Sequence, residues 1–179
     1  PATGKSALVT QWAWHFADMG LRVGFYNLEM TSKQMYERMI ASRSGISITR
    51  IRMAKAFQGD ERPRYERAVR ELVNQKNIFI TTGAKKVSEI KAEIRHMNYD
   101  LLIVDYIQLL LCDSKYSGNR AAEVGEISRQ LKDIAMSFSI PVIALSQLNR
   151  VSEGSATKEP NMGQLREAGN LEQDASIII

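Results

Sequence analysis

The chain has 179 residues, of which 44% are hydrophobic and 25% are charged, with 24 Lys and Arg against 20 Asp and Glu. This composition suits one domain with a sizeable buried core and excludes a disordered chain, while the longest apolar runs are far shorter than the roughly 20 residues that span a bilayer. A single cysteine, Cys112, excludes an internal disulfide framework, and the formal net charge of +4 permits a nucleic-acid partner without requiring one.

Apolar spacing and turn residues predict helices and strands that alternate along the chain. The predicted helices lie at residues 6–19, 31–43, 61–75, 87–97 and 120–137, with shorter ones at 46–57 (a helix or a turn) and 162–168. The predicted strands lie at residues 22–28, 77–82, 101–105, 140–145 and 175–179. Such alternation indicates parallel strands joined by crossover helices. We therefore predict one α/β domain with a mainly parallel sheet and helices on both faces.

The first residues match the end of a phosphate-binding loop. Thr3, Gly4, Lys5 and Ser6 complete the pattern G-x-x-x-x-G-K-[ST], whose first glycine would lie just before residue 1. In this loop the glycine lets the backbone approach a phosphate, the lysine neutralises the β- and γ-phosphates, and the serine hydroxyl binds Mg²⁺. The alternative is an ordinary helix start with a surface lysine, because the G-K-S tripeptide also occurs by chance.

Polar side chains end or follow three of the predicted strands. Asp105 ends a strand of four apolar residues, which is the Walker B arrangement with its carboxylate near a metal. Glu29 follows the first strand and could activate a water that attacks the γ-phosphate, although a carboxylate here could also favour the dipole of the next helix. Gln147 follows the fourth strand, and its amide could contact the γ-phosphate as a sensor. Parallel strands bring these groups to one edge of the sheet, where α/β proteins bind ligands.

Five sequence strings then occur in a fixed order: GKS, NLEM, DYIQLL, ALSQLNR and LREAGNLEQDA. This order closely resembles the C-terminal, RecA-like motor domain of DnaB-type replicative DNA helicases, over nearly the whole chain. The resemblance implies a RecA-like P-loop NTPase fold and an ATP hydrolase of the 5′–3′ replicative helicase type, with ATP and Mg²⁺ bound. It also implies that Glu29 is the catalytic glutamate, Asp105 the Mg²⁺-linked aspartate and Gln147 the γ-phosphate sensor.

The resemblance further implies partners. Arg166, Glu167 and Gly169 match the loop of the family that follows the phosphate backbone of single-stranded DNA inside a homo-hexameric ring. A primase and a helicase loader are further expected partners, no membrane partner is expected, and the expected location is the cytoplasm of a bacterium or a phage-infected host. We expect residues 1–179 to be a single motor domain that begins within the P-loop and ends before the C-terminal strands and the arginine finger.

Two other functions stay open. A RecA-like recombinase or another DNA-stimulated ATPase would share the fold, although the string LREAGNLEQDA after ALSQLNR fits the helicases better. A non-catalytic assembly module would bind nucleotide only to stabilise an oligomer, and the presence of Glu29, Asp105 and Gln147 argues against it. We also expect the strands at 140–145 and 175–179 to be central in the sheet, so that Arg166 between them faces the channel of the ring.

Overall fold

The structure, a computed structural model, describes residues 4–53, 57–113, 119–147 and 169–179. The elements of its first half are α1 (Lys5–Asp18), β1 (Val23–Asn27), α2 (Ser32–Ser44), α3 (Ile48–Arg52), α4 (Glu61–Asn74) and β2 (Ile78–Thr82). Those of its second half are α5 (Val87–Met97), β3 (Leu101–Asp105), a 3-10 turn (Ile107–Leu109), α6 (Arg120–Phe138), β4 (Val142–Ala144) and α7 (Gly169–Asp174). Thr3, Arg166, Glu167 and the predicted helix at 162–168 lie outside the described residues.

The described strands form one parallel sheet in the order β2–β1–β3–β4. The register pairs Val23 with Leu101 and Asn27 with Asp105, so β1 and β3 end at the same level. Every residue of these two strands is buried, which explains why their sequences are apolar up to the final Asn27 and Asp105. The predicted parallel α/β fold is confirmed.

Helices cover both faces of the sheet because side chains along each strand point alternately to opposite sides. Phe25 and Ile103 pack in a core with α1, whereas Tyr26 and Leu102 pack in a second core with α5 and α6. Two neighbouring residues of β1 therefore belong to different cores. Among the described residues, none of the helices has the length and apolar character needed to cross a membrane.

Two predictions about the C-terminal part are wrong. Residues 175–179 form no strand, and Ile179 is 98% exposed, because none of the described strands lies beside them to share backbone hydrogen bonds. The strand predicted as central at 140–145 is the shorter β4, which lies at an edge of the described sheet and pairs there with β3. The helix α7 was not predicted, since its six residues show no apolar repeat; Leu171 packs it against the core that contains α6.

Candidate active site

The start of α1 has a backbone suited to binding an anion. Gly4 is the N-cap residue and has a φ of 84°, in the left-handed region that favours glycine. Lys5 and Ser6 open the helix, where the first N–H groups have no partner within the helix and the dipole favours negative charge. The hydroxyl of Thr10 donates to the carbonyl of Ser6 at 2.6 Å and ties down this first turn. This helix start can therefore hold a phosphate.

The side chain of Lys5 reaches the end of β4. Its ammonium group donates a hydrogen bond to the carbonyl oxygen of Ser146 at 2.6 Å, and Ser146 directly precedes Gln147. An ammonium group has three donors, so two remain for other acceptors such as phosphate oxygens. The fold thus brings the predicted P-loop lysine and the predicted sensor segment together, although they are 141 positions apart.

Asp105 lies at the end of β3 and is only 2% exposed. Burial raises the pKa of its carboxyl, and the negative charge of Glu29 raises that pKa further. A hydrogen bond from Ser6 and the positive charges of Lys5 and Arg38 act in the opposite direction and lower the pKa. The effect of burial is larger than these opposing effects, so the protein alone stabilises the charged form of this carboxyl poorly. A cation beside it would favour the charged form.

The donor set fits a magnesium ion that is shared with a ligand. Ser6 and Asp105 offer a hydroxyl and a carboxylate oxygen near each other, and Mg²⁺ prefers oxygen ligands. The described residues contain no group of three or more His, Cys, Asp or Glu side chains that could enclose a metal. Mg²⁺ typically takes one or two carboxylates together with water and substrate phosphates, so these two residues suffice for such a site.

Glu29 stands in the turn after β1, and a buried asparagine holds this turn. Asn27 is 0% exposed and accepts a hydrogen bond from the backbone N–H of Met30 at 2.7 Å. Its amide donates to the sulfur of Met35 at 3.0 Å and, over a longer 3.4 Å, to the carboxylate of Asp105. A capping box of Thr31 and Gln34 then starts α2, as the sequence predicts.

Gln147 is exposed just beyond β4, and its backbone is held by Gln108 from the 3-10 turn. Tyr106 is near two carboxylates of the site: burial raises the pKa of its phenol, and the charges of Glu29 and Asp105 raise it further. The structure therefore places six predicted residues at one end of the sheet: Gly4, Lys5, Ser6, Glu29, Asp105 and Gln147.

Other predicted residues lie elsewhere, and some residues of the site were not predicted. Gly169 begins α7, whereas Thr3, Arg166 and Glu167 lie outside the described residues. The residues that sequence analysis missed are Asn27, Arg38, Tyr106, Gln108 and Ser146. Asn27 left a signal of its own in the sequence, namely a polar amide at the end of an otherwise apolar strand, where burial requires hydrogen-bond partners. Tyr106, Gln108 and Ser146 lie within the strings DYIQLL and ALSQLNR, but no local pattern there gives them a role.

A helix start built for phosphate, beside a buried aspartate at the end of a parallel strand, is typical of the P-loop nucleotide-binding proteins. The comparison with known sequences narrows this class. The chain belongs to the DnaB-like helicase C-terminal domain family, whose sequence profile matches residues 1–179. The predicted family resemblance is confirmed, and it favours a helicase over a recombinase.

Individual relatives agree with the family. The chain is 37% identical to the replicative DNA helicase DnaB of Rickettsia bellii over 197 residues and 34% identical to the replicative DNA helicase DnaC of Bacillus subtilis over 183 residues. The alignments cover 100% and 99% of this chain but only 39% and 40% of those two proteins. The chain thus spans about two fifths of the length of the curated relatives it matches.

Solved structures give the same fold. The structure of an isolated ATPase domain superposes with a TM-score of 0.89 and 32% sequence identity, covering 98% of this chain and 64% of that one. A DnaB-like replicative helicase, described with its interactions with primase, gives the same score and identity and is covered over 44% of its length. The predicted RecA-like fold is confirmed.

Proposed function

We propose that this chain is the ATP-hydrolysing motor domain of a replicative DNA helicase of the 5′–3′ type. The observation that carries the proposal is the position of Lys5 and Ser6, at the start of α1, near the buried Asp105. The charge of Glu29 acts on the same carboxylate. Family membership supports a helicase as the setting for this site. A purely structural nucleotide site would need no glutamate beside the aspartate, so the geometry favours hydrolysis over an assembly module.

The P-loop residues bind the nucleotide in this proposal. The N–H groups at the start of α1, with Thr3 and Gly4 before it, surround the phosphates, and the ammonium of Lys5 offsets their charge. Ser6 and Asp105 would hold Mg²⁺, which on binding neutralises negative charge on the phosphate oxygens. A bound Mg²⁺ would also stabilise the charged form of Asp105, which burial disfavours.

Hydrolysis needs a base and stabilisation of the phosphoryl group in transit. The carboxylate of Glu29 accepts a proton from a water whose oxygen forms a bond to the γ-phosphorus. The bond from that phosphorus to the bridging oxygen breaks, and ADP keeps the electron pair. Lys5 stabilises the charge that develops on the bridging oxygen, and the amide of Gln147 donates to the departing phosphate.

The same proposal includes the partners of the whole protein. Arg166, Glu167 and Gly169 contact the phosphate backbone of single-stranded DNA in a homo-hexameric ring, as the family resemblance implies. A guanidinium group can bind a phosphate through two parallel hydrogen bonds, which positions the strand without reading its sequence. The solved replicative helicase described with primase supports primase as a partner, with a loader as a further one. The bacterial relatives support a cytoplasmic location.

Phosphate release by the full-length protein tests the proposal. Glu29→Gln keeps the shape of the side chain but cannot accept the proton, so ATP still binds while turnover falls by roughly 10²–10⁴-fold, the usual contribution of a general base. Lys5→Ala loses nucleotide binding itself, measured by titration with a fluorescent ATP analogue. Glu66→Gln is the matched control, because Glu66 pairs with Arg62 on the surface of α4. Turnover of Glu29→Gln within a few-fold of wild type would contradict the assignment of the base.

A further inference from the structure

We propose that Gln108 is the positioning residue of the γ-phosphate sensor: its side-chain amide fixes the backbone of Gln147 in register with Asp105 and Lys5. This inference rests on the proposed function, because it assigns how one residue of that site is held. Gln108 lies in the string DYIQLL, yet its position in the sequence does not indicate that it positions another residue.

The amide of Gln108 uses both of its ends on the segment after β4. Its nitrogen donates to the hydroxyl of Ser146 at 2.8 Å and to the carbonyl oxygen of Gln147 at 3.2 Å. Its oxygen accepts from the backbone N–H of Gln147, also at 3.2 Å. The N–H and the carbonyl of one residue are thus both bonded to one side chain. This arrangement fixes both peptide groups that flank the Cα of Gln147 and so sets the direction in which its side chain leaves the backbone.

Gln108 itself stands on a rigid support. It lies within the 3-10 turn, between Ile107 and Leu110, which are each only 1% exposed. The backbone N–H of Ile107 donates to the carbonyl of Leu145 at 2.9 Å, which ties the turn to the end of β4. A guanidinium nitrogen of Arg120, the first residue of α6, donates to the carbonyl of Gln108. A side chain held at its base in this way can transmit a fixed position to its partners.

Gln108 fixes the segment at Gln147 relative to the end of β3 that carries Asp105. Asp105 lies three residues before it along the chain. On the other side, the carbonyl of Ser146 accepts the ammonium of Lys5 at 2.6 Å while the hydroxyl of Ser146 accepts from Gln108. The P-loop lysine, the metal-side aspartate and the sensor are therefore joined through Gln108 and Ser146. Without the amide, the exposed segment at Gln147 would keep its sequence but lose its fixed orientation.

A positioning role of Gln108 can be distinguished by measurement from a role in stability alone. Phosphate binding by α1, Lys5 and Ser6 does not use Gln108, so its loss leaves the affinity for ATP nearly unchanged. A sensor acts when the γ-phosphate is transferred, so its displacement lowers kcat. A misplacement of about 1 Å at a catalytic group can lower a rate by about 100-fold. A destabilised domain would instead lose bound nucleotide and kcat together.

The test uses Gln108→Met in the full-length protein, because methionine keeps the length of the side chain without its amide. We expect kcat for ATP hydrolysis to fall by about 10- to 100-fold, with KM and ATP affinity within a few-fold of wild type. The matched control is Gln75→Met. Gln75 also joins two segments through its amide, to Asp18 at 3.2 Å and to the N–H of Asn77 at 3.0 Å, but before the start of β2 at the other end of the sheet. This control should keep wild-type kcat.

A double-mutant cycle with Gln147→Ala separates positioning from any other effect. If Gln108 acts through the amide of Gln147, adding Gln108→Met to Gln147→Ala lowers kcat by less than about twofold further, since the two changes remove one interaction. A full multiplicative loss in the double mutant would overturn the inference, and so would a kcat of Gln108→Met equal to that of Gln75→Met. If the wild-type protein itself does not hydrolyse ATP, the proposed function fails first, which distinguishes the two failures.

Discussion

A single-atom change at the junction of β1 and β3 tests the geometry of the site. Asn27→Asp replaces the amide nitrogen, which donates to Asp105 at 3.4 Å, by an oxygen. The shape of the side chain is kept, but a donor becomes an acceptor and a second carboxyl group faces the first. Both positions are almost fully buried, with exposures of 0% and 2%, so water screens the new pair poorly. We expect a loss of stability that depends on pH.

The size of the loss depends on which of two protonation states the facing carboxyl groups adopt. Two unit charges 3.4 Å apart repel by about 5 kcal/mol at an effective dielectric constant of about 20. Alternatively one carboxyl stays protonated, which at pH 7 costs about 4 kcal/mol because an ordinary aspartyl pKa is about 3.9 and each unit is worth about 1.4 kcal/mol. The state with one protonated carboxyl costs less free energy. The penalty is therefore about 4 kcal/mol at pH 7 and about 1.5 kcal/mol at pH 5, and the O–H of the protonated carboxyl can take the place of the lost N–H donor.

The sign follows from proton binding. The folded variant holds a proton that its unfolded chain releases above the ordinary carboxyl pKa, so stability falls as pH rises. Hydrogen exchange with mass spectrometry on the full-length protein resolves the peptides of β1 and β3 and gives their opening free energies at pH 5, 6 and 7, after correction for the intrinsic exchange rate. Asn119→Asp is the matched control. Asn119 is exposed and caps α6 through its side-chain oxygen, a role that aspartate fills equally well.

One result would contradict the pairing of the new carboxyl with Asp105. If the stability difference between Asn27→Asp and wild type is the same at pH 5 and pH 7, the new carboxyl does not face Asp105, and the junction of β1 and β3 is not as described. A large effect of Asn119→Asp on the same peptides would equally show that any added carboxylate destabilises the domain.

Two further predictions concern Asp105 and the binding of DNA. Asp105→Asn removes a carboxyl whose pKa burial raises, so it should raise the thermal midpoint of the nucleotide-free protein at pH 7. The gain should vanish below the ordinary aspartyl pKa of about 3.9, where the wild-type carboxyl is protonated in both states. The same variant should lose Mg²⁺-dependent hydrolysis, and an unchanged midpoint at pH 7 would argue against the burial. Arg166→Ala should weaken single-strand binding about equally for all sequences and lower the log–log salt slope by roughly 0.7 per lost phosphate contact. Loss of the hexamer or of basal hydrolysis before loss of DNA binding would instead make Arg166 an interface residue.

The sequence predicts the fold well where local patterns and packing agree. The apolar run at 101–104 lies in a buried strand, and the Thr31 capping box starts α2 as expected. The same holds for the candidate site. Glu29 follows β1 and Asp105 ends β3, and the parallel pairing of these strands brings their ends together, while Lys5 starts α1. Motif spacing therefore carries most of the information about which residues meet.

The rest depends on contacts that no local pattern encodes. The apolar residues 175–179 resemble a strand, but a strand exists only where a neighbour takes its backbone hydrogen bonds. Gln108 looks like an ordinary polar residue after a strand, and only the fold shows that its amide meets a segment 39 positions away. Asn27 is similar, since its partners Met30 and Met35 are local while Asp105 is not.

The pairing of Asn27 with Asp105 also bears on how the protein folds. These residues are 78 positions apart, and the part of the intervening chain that the structure describes contains four helices and β2. Contacts between residues so far apart in sequence form late in folding. The chain loses conformational entropy when it closes the loop, and only afterwards does the contact contribute stabilising free energy. The nucleotide site therefore cannot exist in a partly folded chain that lacks β3. A ligand of this site binds only the finished fold, so it should stabilise the domain as a whole and slow its unfolding rather than speed its folding.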